Sequence, residues 1–92
     1  MARSDRDFIT RVDDAILVQC FHLTRLRGQP IRASIADFRQ TSIENRDLCD
    51  TPESRDDRDI WQLRIGRCDL MLADPSDEAL RRRAGEAMEH DR

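Results

Sequence analysis

Apolar side chains recur at steps of three and four along most of this chain, the spacing that gathers them on one face of an α-helix. Phe8, Ile9, Val12, Ile16, Cys20, Leu23 and Leu26 form the first such stripe, about 120° wide on a helical wheel. Ser4, with Asp7 behind it, marks a start, and Arg27-Gly28 followed by Pro30 marks a stop. Leu17, Val18 and Phe21 fall outside the stripe and make a second, smaller patch on the far side. Next, Ile31, Ile35 and Phe38 at i, i+4 and i+7 predict a short helix from Pro30 to Arg39. Thr41-Ser42-Ile43-Glu44 then has the form of a capping box, and predicts a fresh turn of helix or an ordered loop through Leu48.

Thr51-Pro52-Glu53 is the clearest start in the chain, with a capping hydroxyl, a proline at the first helical position and an acid in the first turn. The helix it opens should run to about Ala73. It carries two apolar faces, Trp61, Ile65, Cys68 and Leu72 on one, Ile60, Leu63, Leu70 and Met71 on the other. Asp74-Pro75-Ser76-Asp77-Glu78 repeats the same grammar, and Leu80, Ala84, Ala87 and Met88 then give a last helix one narrow apolar face. Asp77 with Arg81, and Glu78 with Arg82, stand at favourable i,i+4 spacing. The expected fold is all-α. It is a single domain over residues 1–92, a small bundle of three main helices with one or two short ones after the first. The cadence of those short helices is helix-turn-helix-like.

Composition supports that class. Of 92 residues 38% are hydrophobic and 38% charged, with only three Gly and three Pro, which suits a small helical bundle better than a β-sandwich. A chain of this length buries roughly 60–65% of its unfolded surface, so its stability margin is thin. All sixteen cationic side chains are Arg. A GC-rich, bacterial-like coding bias explains that as well as phosphate or carboxylate recognition does.

The net charge of −3 lacks the basic surplus of most nucleic-acid binders. Charge is nonetheless uneven. Arg25, Arg27, Arg32 and Arg39 face only Asp37 between His22 and Gln40, whereas acids dominate from Glu44 to Asp59. In a helix-turn-helix the second short helix would enter the major groove. Here that segment carries Glu44, Asp47 and Asp50 against Arg46 alone, which disfavours DNA.

Three cysteines, Cys20, Cys49 and Cys68, do not make a disulfide framework. The charged first residues lead into no apolar signal segment, and no run is long enough to span a bilayer. The expected location is the cytoplasm. Cys20, His22, Cys49 and Cys68 are zinc-type donors without the close Cys-x-x-Cys spacing that zinc sites use, and two of the thiols lie on apolar stripes. Cys20 and His22 point about 200° apart on a helix, so they make no nucleophile–base pair. No catalytic residue, metal ligand or cofactor is therefore assigned.

The expected function is non-enzymatic: binding another protein and regulating it, as inhibitors, anti-activators, antitoxins and adaptors of this size do by analogy. A helix-turn-helix DNA-binding regulator is the alternative. The first and late helices show more apolar surface than so small a bundle readily covers. The partner or homodimer surface is expected at Leu17, Val18 and Phe21, rimmed by Arg11, Asp14 and Arg25; if those three instead form the second wall of the core, it is expected around Arg25, Arg32 and Arg39.

Overall fold

A computed structural model describes residues 2–73 and 76–90, with side chains over 7–73 and 76–89. Among them there is no strand. The helices are α1 (Ala2–Arg27), α2 (Ile31–Leu48), α3 (Arg55–Ala73) and α4 (Asp77–His90), with a single 3-10 turn, Pro52–Ser54, leading into α3. None is long and apolar enough to cross a membrane. Asp74 and Pro75, the first half of the expected last start signal, lie outside the described residues.

The breaks between helices have local causes. Gly28 takes φ +64, a left-handed conformation that glycine adopts without a Cβ penalty. There its N–H and that of Gln29 both donate to the Thr24 carbonyl, at 2.9 and 3.3 Å. This is a Schellman-type stop. Pro30 then caps α2 in an extended conformation but has no side chain able to accept a hydrogen bond. Asp77 supplies the missing acceptor from α4: its Oδ1 takes the Arg32 N–H at 3.0 Å. At the other end of α2, Thr51 N–H donates to Ser54 Oγ at 3.2 Å, and the Ser54 hydroxyl returns to the Thr51 carbonyl at 3.0 Å.

Where a second short helix was expected at Thr41, α2 continues unbroken. Its buried positions Ile31, Ser34, Ile35 and Ser42 keep one stripe running through the expected break. Ser42 is the instructive residue. Its hydroxyl donates back to the Phe38 carbonyl at 2.8 Å, which satisfies it inside the helix instead of capping a new one. Among the described residues the fold is four α-helices, and α2 spans without a break the two short helices expected after the first.

Polar ties fix how the helices run. Arg39 bonds Asp69, and Arg46 Nη1 donates to Gln62 Oε1 at 3.0 Å, so α2 and α3 are antiparallel. Thr24 and Ser34 hydroxyls meet at 2.6 Å where α1 turns into α2. Gln29 Nε2 donates to both Ser34 and Asp37 at that same corner. The core is built from Ile16, Leu17 and Cys20 of α1, Ile31 and Ile35 of α2, Cys68 and Met71 of α3, and Leu80 and Ala84 of α4. Leu80, Ala84 and Ala87 are buried, as the narrow apolar face of the last helix requires.

α1 presents a different face to this core than its hydropathy suggests. The buried set is Asp13, Ile16, Leu17, Cys20 and Thr24, a stripe turned roughly 80° from the apolar one. Leu17, expected on the far side, is 1% exposed, whereas Phe8 is 47% and Leu26 84% exposed. The roll has an electrostatic partner. Asp13 is buried, and Arg67 of α3 grips its carboxylate through two bonds, Nε to Oδ1 at 2.8 Å and Nη2 to Oδ2 at 2.7 Å. Planar two-point pairing of this kind is among the strongest polar contacts available. It also holds the Arg67 proton more firmly than usual, chiefly through the hydrogen bond to Asp13.

Asp13→Ala should therefore lower the unfolding free energy by about 2 kcal/mol, since it strips a half-buried guanidinium of its partner. In a double-mutant cycle with Arg67→Ala, read by urea denaturation, the combined loss should fall clearly short of the sum. Additive losses would show that the two groups are not coupled.

Candidate functional site

The roll of α1 leaves Phe8 and Leu26 of its apolar stripe exposed and Ile9, Val12 and Leu23 only partly covered. α1 and α3 run in the same direction across α2 and come together at Asp13–Arg67 and at the buried cysteines. One turn before that ion pair, a groove of about 550 Å³ separates them. Phe8, Val12, Ala15 and Ile16 of α1 form one side, Ile60, Trp61 and Leu63 of α3 the other, and Phe38 of α2 the floor. Phe8 and the 43% exposed Ile60 are large apolar side chains left in solvent at its walls. Lone exposed apolar residues are ordinary, but a contiguous set lining a concavity marks a binding surface.

The rim is polar and one-signed. Arg11 and Arg64 line it together with Gln19 and Thr41, and among the described residues no carboxylate does, while Asp14 shares an adjoining depression with Arg11. Arg64 sits over the Trp61 ring of its own wall, its guanidinium carbon 4.5 Å from the ring centre. That cation–π contact holds the charge at the mouth without neutralising it. Among the described residues the lining carries no imidazole, thiol or carboxylate.

The residues expected at a partner surface lie in different settings. Leu17 belongs to the core, where no partner reaches it. Phe21 is half-buried against the same core and meets His22 edge-on, with ring centres 6.4 Å apart. Val18 is half-buried over a shallow depression shared with Asp14, His22 and Ala87. Arg25 is exposed in the last turn of α1. Arg32 donates from Nη2 to the Leu72 carbonyl at 2.6 Å, closing the end of α3, and Arg39 pairs with Asp69. Arg32 and Arg39 thus tie helices together. Phe8, Val12 and Ile16 stand in the sequence on the apolar stripe of the first helix, and Ile60 and Leu63 on the second apolar face of the late one. The signal for them was the excess itself, two apolar faces on α3 and an α1 stripe wider than its neighbours can cover.

The four zinc-type donors are likewise dispersed. Cys20 and Cys68 are buried, Cys49 is half-buried after the end of α2, and His22 is exposed. Among the described residues no group of three or more His, Cys, Asp or Glu gathers closely enough for a metal ion. Burial pushes the Cys20 thiol up to about 12, helped by Cys68 and Asp37. Burial likewise pushes Cys68 up to about 11, with Asp69 adding and Arg39 opposing.

Both thiols stay protonated in the folded chain at pH values where the unfolded chain, near the ordinary 9.0, has lost the proton. Stability should be insensitive to these groups below pH 9 and fall as pH rises from there through 11 to 12. Urea midpoints at increasing alkaline pH read this directly, and a flat profile would contradict the burial. Under native conditions a thiol reagent should modify Cys49 first, with Cys20 and Cys68 following only on unfolding.

Comparison of the chain with models of protein families, with characterised proteins and with solved structures matched none of them.

Proposed function

We propose that this protein is a non-enzymatic regulator that works by binding another protein in the groove between α1 and α3, in the manner of an inhibitor, anti-activator, antitoxin or adaptor. One observation carries the reading. Phe8, Val12, Phe38, Ile60, Trp61 and Leu63 converge on a single open concavity, and none of them carries a group able to do chemistry. A fold with so little apolar area to spend on its own stability leaves these side chains at the surface, and a partner would complete their burial. The free thiols suit a reducing compartment, and the regulator is assigned to the cytoplasm. The DNA-binding alternative gains no support: its intended recognition helix is the second half of α2, carrying Glu44 and Asp47.

Substitutions separate binding surface from core. Phe8→Glu and Ile60→Glu should change stability by no more than about 0.5–1 kcal/mol, because both positions are already wet. Leu17→Glu should abolish the thermal unfolding transition, because it places a charge in the core. A protein retained from the host extract by the wild type and by Leu70→Glu, an exposed position outside the groove, should be lost by both groove variants. Retention of every captured protein by Phe8→Glu and Ile60→Glu would overturn the groove as the binding surface.

A further inference from the structure

We infer that the occupant of this groove is an acidic amphipathic helix belonging to a different protein, an inference that rests on the groove being the binding surface. Length and charge together point to it. From Phe8 to Gln19 the groove follows α1 for about 16 Å, the rise of roughly three helical turns. A helix laid in such a groove anchors through apolar residues at i, i+3 or i+4, and i+7, which is the span available here.

The charge is selective because it runs against the rest of the molecule. The chain as a whole carries −3, yet the groove is lined by two arginines and no carboxylate. Neither Arg11 nor Arg64 has a carboxylate within ion-pair distance among the described residues. Arg64 lies over Trp61 and makes no ion pair among the described residues, so its N–H groups can serve an incoming acceptor. Asp56, Asp57 and Asp59 occupy the first turns of α3, beyond the groove lining. They repel an acidic helix at that end, so the carboxylates of the occupant belong beside Arg11 and Arg64.

A second copy of the chain fits poorly. An isologous dimer sets a patch against the same patch, which would bring four arginines, Arg11 and Arg64 of each copy, into one interface with no lining carboxylate among the described residues to balance them. Electrostatic complementarity selects a partner by disfavouring such like-charge encounters.

Trp61 is the only tryptophan and sits in the groove wall, so it reports occupancy. The probes are two synthetic helical peptides of about 14 residues with identical leucines at i, i+4 and i+7 and flanks of either glutamate or lysine. Titrations are followed by Trp61 fluorescence and by anisotropy of the labelled peptide, because Arg64 variants alter the fluorescence baseline. The glutamate peptide should bind at least about tenfold more tightly than the lysine peptide, and raised salt should shrink the gap. Arg11→Glu/Arg64→Glu, confirmed folded by circular dichroism, should reverse the order. Equal binding, or a preference for lysine, would overturn the acidic occupant and leave the groove reading standing. Binding of neither peptide would overturn the helical occupant, while the Phe8 and Ile60 variants still judge the groove itself. A stable dimer of the chain alone by sedimentation, broken by Ile60→Glu, would overturn it in favour of a second copy.

Discussion

The packing of α1 turns on the ion pair between Asp13 and Arg67. A carboxylate facing the middle of a bundle is costly unless donors meet it there. Arg67 meets it with two nearly ideal bonds. Once that contact is made, α1 can no longer present its most apolar stripe squarely to its neighbours. Leu17 and Cys20 turn inward beside Asp13, Thr24 finds the Ser34 hydroxyl, and Phe8 is carried outward. The same pair stands where the closed part of the bundle gives way to the groove. One polar contact therefore positions both the core and the surface that the core leaves open.

Small polar residues supply a second constraint. Ser34 and Ser42 are fully buried on α2, yet neither is left without a hydrogen bond. Their small side chains add little bulk at the helix contacts, and their hydroxyls are satisfied by Thr24 and by the Phe38 carbonyl. Because hydropathy scores them as polar, a reading based on apolar periodicity ends the helix at Arg39 and mistakes Ser42 for part of a new cap. The geometry shows instead a continuous stripe whose middle members happen to be serines.

What the sequence made legible were features of local origin. Gly28 before Pro30, and Thr51 before Pro52, locate two chain reversals because their conformational preferences act within a few residues. The all-helical class, the narrow face of α4 and the burial of Cys20 and Cys68 follow from periodicity alone. The rotational setting of α1 was not legible. It depends on a residue 54 positions away, and nothing within α1 announces that Asp13, among its several carboxylates, is the buried one. Of the three residues expected at a partner surface, Leu17 is in the core for that reason, whereas Val18 and Phe21 keep part of their surface in solvent.

Side-chain footprinting by hydroxyl radicals tests this setting of α1 most directly, since it reads the solvent access of individual residues in the intact protein. With rates corrected for intrinsic reactivity, Phe8 and Ile60 should be modified much faster than Leu17 and Ile35. If Leu17 is instead modified as fast as Phe8, the Asp13–Arg67 pair does not set the face that α1 buries, and the groove is not where this structure places it.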